Sequence, residues 1–295
     1  MSAVLLAIHL PDGVLSERWW LGGLGVMGVM LVFGAWGIRD EEIPRTALMT
    51  AAFFVVSLIH VPLPGSSVHL LLNGLLGVVL GRRAALAIPI GLFFQMALFQ
   101  HGGWTTLGIN SVIMGLPALL AWVMFAGLRR APWVRRPWFR GLLVAAGVGV
   151  TVLGLAYVVA LFTTNRLGSE TLEANRANAV AFHPGMLVLA AVLGLLAAFA
   201  ERRLENAPEF PVGFVVGATA VLATVLLNSL SLLLGGTNRA GMRTPALLLC
   251  LIHLPLAVIE GTVLGFLVGF LTRVKPDMLG WPSVEKPACA TDPLP

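Results

Sequence analysis

Charge is what this sequence has least of: 11% of its 295 residues are Asp, Glu, Lys or Arg, while 58% are hydrophobic and the mean hydropathy is +0.90. No soluble core of this length needs so much apolar surface. Cysteine is nearly absent, with Cys250 in an apolar run and Cys289 in the tail on the opposite side, so a disulfide framework is excluded. No glycine-rich loop of the P-loop type is present, and the chain cannot supply energy from ATP by itself. An HExxH pair or a cluster of carboxylates beside histidines, the signature of a membrane metalloenzyme, is also missing. The first residues lack the basic start of a signal peptide, and His9, Pro11 and Asp12 interrupt their apolar stretch. The expectation there is an uncharged segment that tucks between helices.

What is present is a series of apolar runs close to the length that crosses a hydrocarbon core of roughly 30 Å. Lipid cannot satisfy exposed backbone groups, so such runs must be helices. They are expected near 19–38, 46–63, 67–81, 84–99, 105–128, 141–163, 184–200, 211–234 and 245–272. The expected fold class is therefore all-α, a polytopic transmembrane bundle of about nine helices. Its parts are a segment over 1–18 at the outer face, a first block of five helices over 19–128, and an inner basic segment over 129–140. An inserted helix pair over 141–205, two last helices over 206–275 and a cytoplasmic tail over 276–295 complete it.

Basic residues set the orientation. With the N-terminus outside, the inner loops and tail hold Arg39, Arg45, Arg82, Arg83, Arg129, Arg130, Arg135, Arg136, Arg140, Arg202, Arg203, Arg273, Lys275 and Lys286. The outer side holds only Arg18, Arg166, Arg176, Arg239 and Arg243. That asymmetry predicts an outside N-terminus, an inside C-terminus and a multi-pass protein of the cytoplasmic membrane. The net charge of +5 then reports topology, not nucleic-acid binding. Trp133 and Trp138 among the arginines of 129–140 read as an interfacial anchor.

On this topology all six histidines, His9, His60, His69, His101, His183 and His253, fall on or near the outer side. Imidazole is a common ligand for nickel, cobalt, copper and zinc, although any single histidine at an interface can be a satisfied polar group. The clustering favours a metal. Pro11-Asp12-Gly13 signals a turn that bends the chain after His9. Ser66 and Ser67 are expected to open a helix with His69 in its first turn, where the positive helix end keeps the ring neutral. Thr105, Thr106 and Asn110 offer small polar groups suited to supporting a ligand. Gly22, Gly25 and Gly28, and likewise Gly74, Gly77 and Gly81, are expected to permit close helix packing. His253 and Glu260 lie seven apart on one helix face, where an internal polar contact is the favoured reading.

Four stretches occur in order: His9-Leu10-Pro11-Asp12-Gly13-Val14-Leu15-Ser16; Pro64-Gly65-Ser66-Ser67-Val68-His69-Leu70 with Asn73-Gly74; Phe99-Gln100-His101-Gly102-Gly103-Trp104-Thr105-Thr106-Leu107-Gly108-Ile109-Asn110; and His253-Leu254-Pro255-Leu256-Ala257-Val258-Ile259-Glu260-Gly261. Together they resemble the CbiM/NikM family of cobalt and nickel transport subunits. The resemblance covers about 9–128 and 211–280. It implies a substrate-capture subunit of an energy-coupling factor transporter for Co(II) or Ni(II), an importer whose ATP hydrolysis resides on partners. Those partners would be a transmembrane coupling subunit, cytoplasmic ATPases and a small accessory membrane subunit. It also implies metal ligands at His9 and His69, with Ser67, Asn73, His101, Asn110 and His60 as supporting or alternative groups. In the family pattern a terminal amine and the next amide nitrogen join the first histidine. Here Met1 to Ala7 precede the position where the initiator should stand, and Ile8 occupies it. Either the working chain starts at position 8, or imidazoles alone hold the metal. A metal sensor or solitary channel is the alternative reading, with a membrane metalloenzyme behind it.

Overall fold

A computed structural model of the chain describes residues 9–63, 66–130, 136–164, 179, 182–203, 209–237 and 242–279. Within these residues the chain forms nine helices: α1 (Glu17–Ala35), α2 (Ile43–Leu58), α3 (Asn73–Leu80), α4 (Ala84–Phe99), α5 (Leu107–Leu128), α6 (Pro137–Thr164), α7 (Pro184–Arg203), α8 (Phe210–Gly235) and α9 (Arg243–Val274). A short antiparallel hairpin, β1 (His60–Leu63) and β2 (Ser66–His69), sits between α2 and α3. Five stretches are long and apolar enough to cross a membrane: 17–35, 73–99, 107–128, 210–235 and 252–274. The protein is a multi-pass membrane protein, and the many large side chains it leaves exposed on α1, α5 and α7 are apolar.

The stretch 73–99 is two helices of opposite sense. Along α3, Asn73 meets the level of Met114, Gly77 that of Ala118 and Gly81 that of Trp122, so α3 runs parallel to α5. Along α1, Gly23 packs on Ile109, and Gly34 near the end packs on Ala85 and Leu86 at the start of α4. The chain reverses through a 3-10 turn at Gly81–Arg83, where Gly81 has φ +58°. The helix expected over 67–81 is thus corrected. Residues 66–69 are a strand, and the helix that follows has only 8 residues, about 12 Å, which is half a hydrocarbon core. Eight of the described helices have 16 residues or more, and α3, with 8, is too short to cross a membrane, so the expected nine spanning helices are reduced. The β-branched Val61 and Val68 pair across the hairpin, which favours the pleated conformation over a capped helix.

Two ends of the bundle emerge. One gathers His9, His69 and His101 with the start of α5 and the end of α8. The other gathers Arg83, Arg45 and Arg129. At this arginine end Arg83, 3% exposed, donates to the carbonyls of Gly34 and Trp36 at 2.8 Å each, to that of Gly37 at 2.7 Å, and to Glu42 at 2.8 Å. The carbonyls left without helical partners at the end of α1 are therefore satisfied by the Arg83 side chain at the α3–α4 reversal. Arg45 and Arg129 hold the carbonyls of Met278 and Leu279, both at 3.1 Å, and fold the 3-10 turn at Pro276–Leu279 under the bundle.

Glycine sets the closest helix contacts at positions other than some of those expected. Gly22, Gly25 and Gly28 face open space, and Gly23 and Gly34 make the tight contacts of α1 instead. The expectation holds for Gly77, where an added Cβ would lie 2.0 Å from the Ala118 carbonyl oxygen. Between α8 and α9, Gly213 faces Gly265, and Gly217 faces Gly261, at about 3 Å from a would-be Cβ. The pair α6–α7 packs on itself at Ala145 and Gly194, and on α8 and α9 through Gly147.

Candidate metal site at the histidine end

The segment before α1 is held in place by its backbone. Asn110 on α5 accepts from the Leu10 N–H at 2.9 Å and donates to the Leu10 carbonyl at 3.0 Å, and the Thr106 hydroxyl donates to the same carbonyl at 2.5 Å. The Leu10 side chain is fully buried in a cluster with Val14, Leu15, Ile109, Ile113 and Leu232. Leu15 bridges Gly236, and the Ser16 N–H donates to the Gly235 carbonyl at 2.9 Å, tying the segment to the end of α8. His9, one residue before the Asn110 clamp, is thereby fixed over the start of α5.

The bend at Pro11-Asp12-Gly13 holds a second strap. The Asp12 carboxylate accepts from the backbone N–H of Trp104 at 3.1 Å and of Thr105 at 2.8 Å, and from the Thr105 hydroxyl. Partial burial pushes the Asp12 carboxyl up, but these hydrogen bonds outweigh it and hold it below the ordinary value. Gly103 must be glycine, since a Cβ would lie 2.3 Å from the Asp12 carboxylate. The strap draws the loop after α4 against the segment and carries His101 with it.

His69 arrives at the end of β2, not in a first helical turn, which corrects the expected helix-end setting. The result is a cluster of three imidazoles. His9 and His69 stack with centroids 5.1 Å apart and planes 8° apart, and His101 stands edge-on to both at 4.8 and 6.0 Å. One ligand atom from each ring lies within 4.8 Å of the others. Nitrogens that each hold one ion at roughly 2.1 Å lie at most about 4.2 Å apart, so the three rings would close in on a bound ion. His9 is 3% exposed and His69 2%. Burial, then repulsion from His69 and from His101, holds His9 well below the ordinary imidazole value, so it stays neutral with a lone pair available. Its buried Nε2 has no hydrogen-bond partner among the described residues. Such an atom costs about 1–3 kcal/mol, and the chemistry that removes the cost is a hydrogen bond or a metal.

The other expected residues divide. His101, an alternative in the sequence reading, stands in the cluster beside His9 and His69. Asn110 supports it through Leu10. Asn73 is engaged inside the bundle, donating to Thr224 at 2.6 Å and to the Met114 carbonyl at 3.4 Å, and accepting from the Gly74 N–H at 2.9 Å. His60 pairs with His69 in the backbone ladder, and Ser67 with Pro62, while the side chains of His60 and Ser67 lie outside the described residues. The terminal-amine ligand, and with it the choice of start at Met1 or Ile8, falls on residues 1–8, also outside them. His183 is exposed at the start of α7. His253 is fully buried, with its Nδ1 on the Leu249 carbonyl at 2.7 Å. Two features were not legible: Asp12 as a strap, which in sequence reads only as part of a turn, and Leu71 and Leu72 as the partners of the internal polar contact expected of Glu260. A carboxylate within an apolar helix was the sequence signal for the second, but its partner is 188 residues away.

Comparison with known proteins places this architecture. The chain is 37% identical over 155 residues to a protein of Haemophilus influenzae described as a metal transport protein, covering 52% of this chain and 74% of that one. It is 30% identical over 206 residues to one of Methanocorpusculum labreanum described as a cobalt transport protein, CbiM 1, covering 66% and 89%. A fused cobalt transport protein, CbiMQ, from the same organism is 31% identical over 121 residues, covering 39% of this chain and 20% of that one. The family described as the cobalt uptake substrate-specific transmembrane region matches residues 9–199 and 177–278. The two matched ranges together run through the whole of the helix pair over 141–205 that the sequence reading set aside as an insertion. The chain belongs to that family, CbiM, a family of transport proteins and not of enzymes.

Proposed function

We propose that this chain is the substrate-capture subunit of an energy-coupling factor importer, and that it binds one Co(II) or Ni(II) ion at His9, His69 and His101. The observation that carries the reading is the convergence of three imidazoles around the buried Nε2 of His9, which has no hydrogen-bond partner among the described residues. Neutral nitrogen donors suit both cobalt and nickel. The steep asymmetry of arginines supports an orientation with the histidine end outside, where the ion would arrive. Transport across the membrane then falls to a coupling subunit and cytoplasmic ATPases, and the relative whose name fuses CbiM to Q supports a membrane partner.

The test is metal binding by the purified full chain, with wild type and the alanine variants of His9, His69 and His101 titrated with Co(II) and Ni(II). One ion per chain is expected, with tight binding lost in the His9 and His69 variants. Wild-type affinity in all three variants overturns the site. In cells, uptake should need the co-expressed ATPase partners, and uptake by this chain alone would turn the reading to a solitary channel. A cysteine at Thr237 should react with an impermeant reagent applied outside; protection there reverses the orientation.

A further inference from the structure

The buried carboxylate of Glu260 is left over by the site described above, yet it is tied to one of the site's histidines by hydrogen bonds through a single peptide group. Glu260 lies in the middle of α9 and is 5% exposed. Its two oxygens accept from the N–H groups of Leu71 and Leu72, the latter at 3.1 Å. These residues belong to the extended stretch between β2 and α3, where Leu72 adopts the left-handed conformation at φ +51°. Nothing in the local sequence favours that conformation for leucine, so a tertiary contact must hold it.

His69 stands immediately upstream. Its Nδ1 lies 3.0 Å from the Leu70 carbonyl oxygen. A carbonyl only accepts, so Nδ1 carries the proton and Nε2 carries the lone pair. The Leu70 carbonyl and the Leu71 N–H are the two ends of one planar peptide group. That group accepts from His69 on one side and donates to Glu260 on the other. Hydrogen bonds in such a chain polarise one another and fix one another's direction.

We infer that Glu260 is a positioning residue for His69, setting the ring's tautomer and orientation through the Leu70–Leu71 peptide. This rests on the reading of His69 as a metal ligand and adds a residue on the last long helix to the site. The arrangement parallels the carboxylate that usually orients a metal-bound histidine, with a peptide group interposed. Glycine makes the approach possible. A Cβ at Gly74 would lie 3.2 Å from the Gly217 Cα, and one at Gly217 would lie 3.0 Å from the Glu260 carbonyl oxygen and 3.0 Å from the Gly261 Cα. Larger residues would hold α3 away from α9 and the carboxylate away from Leu71.

The test uses the full chain in detergent, with Co(II) affinity and the Co(II) absorption bands measured beside the thermal midpoint of the metal-free protein. Glu260→Ala loses both acceptors, and Glu260→Gln keeps one. Co(II) affinity should fall by about tenfold or more in Glu260→Ala, with displaced absorption bands, and recover partly in Glu260→Gln. A purely structural role would move the thermal midpoint and leave the bands of the folded protein in place, and that result overturns the inference. Should Glu260→Ala not fold, Glu260→Asp, whose carboxylate is drawn back by one methylene, reads the same bands. His69→Ala is measured in parallel. If it loses Co(II) while the Glu260 variants bind normally, the positioning role alone is wrong; if it binds as wild type, the site itself is wrong.

Discussion

The two ends of the bundle handle polar groups in opposite ways. At the arginine end, Arg83 is buried with its guanidinium directed at three backbone carbonyls and the Glu42 carboxylate, so the charge is taken up by the protein. At the histidine end, the segment from His9 to Asp12 is bonded at Leu10 and Asp12, while the His9 Nε2 it presents has no hydrogen-bond partner among the described residues. Both ends are well ordered by hydrogen bonds. They differ in whether the buried polar group finds its partner among the described residues: the Arg83 guanidinium does and the His9 Nε2 does not.

The most direct way to break the comparison is at Arg83. Arg83→Ala removes the donors that close the arginine end and leaves carbonyls and a carboxylate without them, so stability should fall by on the order of 3 kcal/mol. Thermal unfolding in detergent reads this, and the Co(II) affinity of the folded protein should be unchanged. A large loss of affinity would mean that the two ends are not separable.

Asn110→Ala should affect both properties. It removes both clamps on Leu10 and leaves the buried Leu10 N–H without its acceptor, so stability should fall by about 1–3 kcal/mol, less than for Arg83→Ala, while Co(II) binding weakens by about tenfold. Calorimetric titration decides, and wild-type affinity would show that Thr106, Asp12 and the buried Leu10 side chain position His9 without it.

The smallest effect is expected from pH at the arginine end. The hydrogen bond from the Arg83 side chain, then that from the Arg39 backbone, holds the Glu42 carboxyl down to about 2 from an ordinary 4.5. Because the folded value is the lower one, the unfolded chain takes up its proton first as pH falls. The stabilisation is complete above pH 4.5 and is lost between 4.5 and about 2. The Glu42 side chain is 31% exposed and screened by water, so the contribution is modest. Thermal midpoints of wild type and Glu42→Gln should converge across that window; a constant gap between them would separate Glu42 from the effect.

Much of the fold was legible because lipid imposes a single rule on long apolar runs. The helices near 84–99, 105–128 and 211–234 fall within a few residues of α4, α5 and α8. The failure at 67–81 has a physical cause. An apolar run reads the same whether it is helical throughout or begins as an extended strand, and the boundary at Leu72 depends on Glu260, far along the chain. The glycines of α1 failed for a related reason, since spacing shows that glycines recur but not which of them face α4 and α5.

The sequence by itself determined that the chain is a membrane bundle, that its arginines and histidines segregate, and that His9, His69 and His101 stand in stretches of one family. These follow from composition, run length and local motif, which need no knowledge of what touches what. Only the tertiary structure decided that the three rings meet, that Asn110 and Asp12 hold the segment carrying His9, and that one peptide group links Glu260 to His69. Each of those is a contact between residues tens to hundreds of positions apart, and its hydrogen-bonding groups acquire a direction only when the helices that carry them pack together.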